Sequence, residues 1–253
     1  MSLAFVAADF GPVFAQLRWD MLAYEPPGFG ASLVRGLMQT LFIALGAYAL
    51  GLLLGLGGAI GKLYGGPITR NLLEGYTTIV RAVPELILIL ILYYAGTQLI
   101  SELLQAYGYG RFDVNGMAAG IAVLGFVQGA YSTEVLRGAI QAIPAGQIEA
   151  AKAYGMSPFL RFHRIVLPAM LPFAIPGLAN LWLSVTKETA LLAVVSMDPP
   201  ELALATRHAA SGTKQYFVFF LAAFLLYFLL SMVSTSLFRV LERFVRRGQP
   251  KLA

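Results

Sequence analysis

Five stretches of this chain run without a charged side chain far enough to cross, or nearly cross, a lipid bilayer. Residues 36–61, between Arg35 and Lys62, give 26 uncharged positions, more than the roughly 20 that a helical span needs. Residues 114–133 give 20, residues 165–186 give 22 and residues 215–238 give 24. The stretch between Glu85 and Glu102 is shorter, at 16 residues, which is about 24 Å of helix against a hydrocarbon core of about 30 Å. The second span is therefore expected to begin before Glu85 and to carry Arg81, Pro84 or Glu85 to some depth. In the first span, glycines at 51 and 55 and at 57 and 61 have the small-xxx-small spacing that lets helix backbones approach closely. In the fourth, Pro168, Pro172 and Pro176 predict a broken or bent helix.

Between the third and fourth spans the pattern changes. Residues 146–168 read GQIEAAKAYGMSPFLRFHRIVLP, two short helices around a turn. Gln147 to Tyr154 are good helix formers, with Glu149 expected in the first turn, where the helix dipole favours an acid. Gly155 suits a left-handed helix end, and Ser157-Pro158 restarts a helix with a cap and a proline at its first position. An alanine-rich helix at a membrane surface permits close approach by another protein. Residues 188–213 are mixed, with a short apolar run at 191–197, and are expected to dip partly into the bilayer.

Composition agrees with a membrane bundle: 253 residues, 58% hydrophobic and 12% charged, too apolar for a soluble domain of this size. The net charge of +5 is not a nucleic-acid signal, because its distribution follows topology. With the C-terminus inside, 12 of the 18 basic residues fall on cytoplasmic segments, including Lys62, Arg70, Arg137, Lys152, Arg164 and Arg243. The positive-inside rule then gives N-terminus out and C-terminus in. Zero cysteines exclude disulfides and thiolate metal sites. His163 and His208 are too few and too far apart for a metal centre, and both are expected to be solvated or interfacial. Gly61-Lys62 does not open a phosphate loop, since Leu56 occupies the first glycine position and Leu63 follows the lysine. Residues 1–31 are expected to form an N-terminal extension whose Leu, Phe and Trp residues suit a membrane surface. They lack the pattern of a cleavable signal. Residues 246–253 form a basic tail.

The loop between spans three and four resembles a known family. Glu149-Ala150-Ala151, Gly155, Ile165, Leu167 and Pro168 fill every fixed position of the EAA motif, EAA-x3-G-x9-I-x-LP, of membrane subunits of ATP-binding-cassette importers. Residues 75–85 (GYTTIVRAVPE), 129–138 (GAYSTEVLRG) and 187–191 (KETAL) extend the likeness over roughly 30–245. Together they most resemble the Q-type subunit of histidine/lysine/arginine/ornithine permeases and the related octopine and nopaline permeases. The resemblance implies an all-α membrane protein of type I importer architecture, with an importer domain over residues 32–245 and a cytoplasmic coupling loop over residues 146–168. Its implied partners are an M-type sister permease, two cytoplasmic ATPase subunits that hold ATP and Mg, and a periplasmic amino-acid-binding protein. The implied setting is a bacterial inner membrane, with membrane lipid around the chain. No cofactor or catalytic residue is expected in this chain.

Arg81, Glu85, Glu134 and Lys187 are the candidate substrate-pathway residues. Glu85 cannot easily leave the bilayer, and an acid there faces protein or a water-filled cavity. It either pairs with Arg81 one turn away or helps admit a cationic substrate. Glu134 and Arg137 can pair at the end of the third span. Two other classes, a secondary transporter and an intramembrane enzyme using Glu85, Glu134 or Glu188, lack supporting patterns. The first would not need the docking motif, and the second has no histidine partner, metal set or nucleophile beside its acids.

Overall fold

The computed structural model describes residues 17–108, 115–195 and 198–247. Residues 1–16 of the extension, the loop around Asp113, Met197 and most of the basic tail therefore lie outside the described residues. All regular structure among the described residues is helical: α1 (Gly30–Tyr64), α2 (Pro67–Ala82), α3 (Glu85–Ala106), α4 (Gly116–Gln141), α5 (Ala145–Ala153), α6 (Pro158–Arg161), α7 (Leu167–Glu188), α8 (Leu202–Thr213) and α9 (Tyr216–Val245). A π-turn over Phe162–Val166 joins α6 to α7, and a 3-10 turn over Thr189–Val194 follows α7. Five helical segments are long and apolar enough to cross a membrane: α1, α3, α4, the run from Pro158 to Val194, and α9. The chain is a multi-pass membrane protein.

The centre of the bundle is α4, with 67% of its most apolar stretch buried against 17% for α3. Its main partner is α1, and small residues explain the close approach. A side chain at Gly51 would meet Gln128, one at Gly55 would overlap Ser132, and one at Gly58 would overlap Thr133. From the other side, Gly125 and Gly129 make room for Leu50 and Leu54. The second glycine pair foreseen in the sequence does not share this role. Gly57 faces open space, and Gly61 meets Leu73 of α2. Around the seam, Ile43, Ala44, Ala47, Val123, Leu124, Trp182 and Val185 form one apolar core. Ala59, Leu136, Ile140, Val166, Met170 and Ala174 form another nearer the docking loop.

One expectation about helix continuity is corrected, and of the broken or bent helix expected for the fourth span the break is not found. The second span does not start early: α2 ends at Ala82, the chain is extended at Val83 (ψ 140°), and α3 begins at Glu85. Pro84 accounts for the break, because the residue before a proline is pushed out of the helical region. Glu85 and Glu102 then lie within α3, whose 22 residues reach about 33 Å. The fourth span does not break. Pro172 and Pro176 lie inside a continuous α7. With Pro168 they are spaced four apart, so the hydrogen bonds they remove fall on a single face of the helix. The π-turn lies immediately upstream, where Pro168 would crowd the carbonyl of Arg164.

Residues 17–29 of the extension pack onto the bundle. Met21 and Leu22 lie against the core of Leu33, Leu202 and Phe219, and Phe29 meets Phe219 edge-on. The Phe29 N–H donates to the Met21 carbonyl at 2.8 Å. The mixed segment after α7 is held by fully buried Glu201, which caps α8 by accepting from the N–H groups of Ala203 and Leu204, both at 2.7 Å. Thr40 and Tyr227 donate to the same carboxylate at 3.5 and 3.3 Å. Burial raises the Glu201 pKa above the ordinary range.

Candidate functional site

Two polar constructions interrupt this apolar bundle. The first gathers at the α2–α3 break. Glu85, the first residue of α3, accepts a hydrogen bond from the Tyr131 hydroxyl of α4 at 3.1 Å. The Arg81 guanidinium lies 6.0 Å from the Tyr131 ring centroid, within cation–π reach. One turn before Tyr131, buried Gln128 donates its side-chain amide to Glu188 at the end of α7, at 3.0 Å. Glu188 is within electrostatic range of both Glu85 and Lys187, and Lys187 itself is exposed. Four elements, α2, α3, α4 and α7, thus bring two carboxylates, a phenol, an amide and the Arg81 guanidinium together.

This arrangement revises the candidate set. No ion pair joins Arg81 to Glu85 among the described residues. Tyr131 separates their roles, taking the arginine near its ring and giving its hydroxyl to the acid. Arg81 and Glu85 belong to the cluster, as do Tyr131, Gln128 and Glu188, which were not among the pathway candidates; Lys187 is exposed and adjoins it only as the neighbour of Glu188 in sequence. Gln128 and Tyr131, three apart and the first large polar side chains on α4 after an apolar run, carried a readable signal. The Glu188 contact depends on how α7 crosses α4, which no local pattern encodes. Glu134 is engaged elsewhere: Lys62 Nζ lies at 2.6 Å and Arg137 at 2.8 Å, so its carboxylate is neutralised within the chain.

The second construction is the turn after α5. Gly155 has φ +72°, the Gly155 N–H donates to the Lys152 carbonyl at 2.9 Å, and the Met156 N–H reaches the Ala151 carbonyl at 3.1 Å. These are the paired bonds of a Schellman helix end, which needs a residue at ease with positive φ. Ser157 then caps α6, accepting from the Leu160 N–H at 3.4 Å, with Pro158 in the first turn. Helix α5 starts at Ala145, two residues before the expected Gln147, so Glu149 lies beyond the first turn. Glu149 and Ala150 are exposed, whereas Ala151 is 3% exposed and packs into its own chain. Tyr154 and Phe159 flank the turn at 85% and 80% exposure. At the restart, Ile165 and Leu167 are half-buried and Pro168 is exposed.

The model of binding-protein-dependent transport system inner membrane components matches residues 33–247. The chain belongs to that family. Among similar members is the histidine/lysine/arginine/ornithine transport system permease protein HisQ of Escherichia coli (strain K12). It is 37% identical over 216 residues, spanning 85% of this chain and 94% of that protein. The nopaline transport system permease protein NocQ of Agrobacterium fabrum is 38% identical over 230 residues, spanning 90% and 97%. The octopine permease protein OccQ of Rhizobium radiobacter is 36% identical, spanning 90% and 96%. A crystal structure of an amino acid ABC transporter with histidines matches with TM-score 0.71 and 25% identity, over 85% of this chain and 94% of that one. The MetNI methionine ABC transporter in inward-facing conformations shares the fold, with TM-score 0.69 and 21% identity over 85% and 96%. Both polar constructions lie inside the matched residues 33–247.

Proposed function

We propose that this chain is one of two permease subunits in a bacterial inner-membrane importer for cationic amino acids or the related opines. The observation that carries this reading is the pairing of its two polar constructions with relatives named for such substrates. The Gly155 turn, with exposed Glu149, Ala150 and Tyr154, would dock in a cytoplasmic ATPase. The Glu85–Glu188 cluster would line the route shared with an M-type sister. ATP and Mg belong to the two ATPase subunits, a periplasmic binding protein delivers substrate, and this chain performs no bond chemistry. The distribution of basic residues supports N-terminus out and C-terminus in, which puts the turn on the ATPase side.

ATP binding and hydrolysis in the partners would move the docking turn, and α4 and α7, which flank it, would carry that movement to the route. There the two carboxylates favour a positive side chain. At an effective dielectric near 20, a contact at about 4 Å has a Coulomb energy of about 4 kcal/mol, and desolvation leaves about 1–2 kcal/mol. That is enough to discriminate charge roughly tenfold. Co-expression with candidate ABC ATPases tests the assembly. The tagged chain should bring one down in detergent, and a correctly inserted chain that retains none would contradict the reading.

A further inference from the structure

A second buried charge cluster lies at the end of α1, apart from the Glu85 site. Lys62 is 3% exposed at its side chain, and its single ammonium reaches two other helices. It pairs with Glu74 of α2 at 2.7 Å and Glu134 of α4 at 2.6 Å, and it donates to Thr77 of α2 at 2.8 Å. Glu134 also takes the Arg137 guanidinium, which in turn donates to Gln141, the last residue of α4, at 2.9 Å. The docking helix α5 begins at Ala145, four positions further on. A continuous chain of polar contacts therefore runs from α2 to the root of the docking loop.

We propose that Lys62 is a positioning residue for transport, whose ammonium makes the first half of α2 move as one body with the loop-proximal end of α4. This rests on the reading of the Gly155 turn as the ATPase contact. Apolar packing does not do the same work, because only Thr77 and Val80 of α2 are buried. The first turns of α2 instead border an open polar cavity of about 770 Å³, lined by Lys62, Arg70, Asn71, Glu74 and Arg137 among others. The two arms of the clamp differ. Glu134 is 18% exposed and fixed by Arg137, whereas Glu74 is 64% exposed. The Lys62–Glu134 pair is the anchor and Glu74–Thr77 is the grip. Beyond the grip, α2 carries Arg81 and leads through Val83-Pro84 to Glu85, so a displacement of α4 reaches the substrate cluster.

The test releases the grip without orphaning a buried charge: Glu74→Gln with Thr77→Val leaves Lys62 paired to Glu134. Since the chain has no cysteine, spin labels at Leu72→Cys on α2 and Gly138→Cys on α4 report the separation by electron–electron resonance. In the assembled transporter, the unreleased chain should keep that separation within about 2 Å between nucleotide-free and ATP–vanadate states. The released variant should show a broadened separation that shifts with nucleotide. Its arginine carried per ATP hydrolysed should fall about tenfold, within the usual range of coupling effects. A wild-type separation that changes with nucleotide, equal distributions in both proteins, or an unchanged transport ratio would each overturn the proposal. Failure of the ATPase reading gives a different result, loss of co-purification. The label pair in the isolated chain then still decides whether the grip holds α2.

Discussion

The α1–α4 seam and the α2–α4 junction lie side by side on the same central helix and are built in opposite ways. Along the seam, glycines on each helix receive the partner's side chains, and there is no room left for a methyl group at Gly55. At the junction, the α2 helix buries two residues and depends for polar contacts on Lys62 at Thr77, on the Tyr76 hydroxyl at the Phe126 carbonyl and on Arg81 over the Tyr131 ring. Close packing transmits displacement without yielding, because a dense core is poorly compressible. An ionic and hydrogen-bonded junction fixes direction while allowing a few side chains to exchange partners. The seam therefore serves as the frame, and the junction as the part that substrate and movement can address.

That contrast can be broken most severely at the seam. Gly55→Leu should prevent the folded subunit from accumulating, since overpacking a fitted contact costs about 1–3 kcal/mol or more and backbone stands on both sides. Gly57→Ala, two residues away in open space, should leave the folded yield unchanged. Size-exclusion profiles of the two purified variants in detergent give the comparison, and equal yields would mean that the seam is not close-packed.

At the junction the effects should be smaller and selective. Glu85→Gln is expected to lower uptake of arginine or an opine about tenfold while sparing a neutral substrate delivered by the same binding protein. Parallel uptake assays decide it, and an equal fall for both substrates would make Glu85 structural only. Tyr131→Phe should cost less again, roughly two- to tenfold in cation uptake, because it deletes one hydrogen bond worth about 0.5–1.5 kcal/mol. If Tyr131→Phe proved more damaging than Glu85→Gln, the phenol and not the carboxylate would be the principal contact.

The spans were legible because lipid imposes a simple rule, and the charge-free lengths from Arg35 to Lys62, Asp113 to Glu134, Arg164 to Lys187 and Lys214 to Arg239 obey it. The docking turn was legible for a local reason as well: Gly155, Ser157 and Pro158 each have a strong conformational preference. The α2–α3 break was visible as Pro84 but was outweighed by an argument from span length. The structure meets that length by starting α3 at Glu85 and ending it beyond Glu102. What could not be read were the contacts that depend on helix crossing: Lys62 with Glu74 and Glu134, and Gln128 with Glu188. These pairs lie 12 to 72 residues apart, and no periodicity specifies them. The inward turn of Ala151 was hidden for the same reason, since the facing surface comes from elsewhere in the chain.

The most direct test of the account is Gly155→Val in the transporter reconstituted with its partner subunits. At φ +72° a β-branched side chain is strongly disfavoured, at a cost of roughly 1–2 kcal/mol or more, so the docking helix should be misdirected while the spans remain inserted. ATP-driven uptake and binding-protein-stimulated ATP hydrolysis should be measured in the same vesicles. The account predicts that uptake is lost in a correctly inserted, assembled complex; normal uptake with normally stimulated hydrolysis would contradict it.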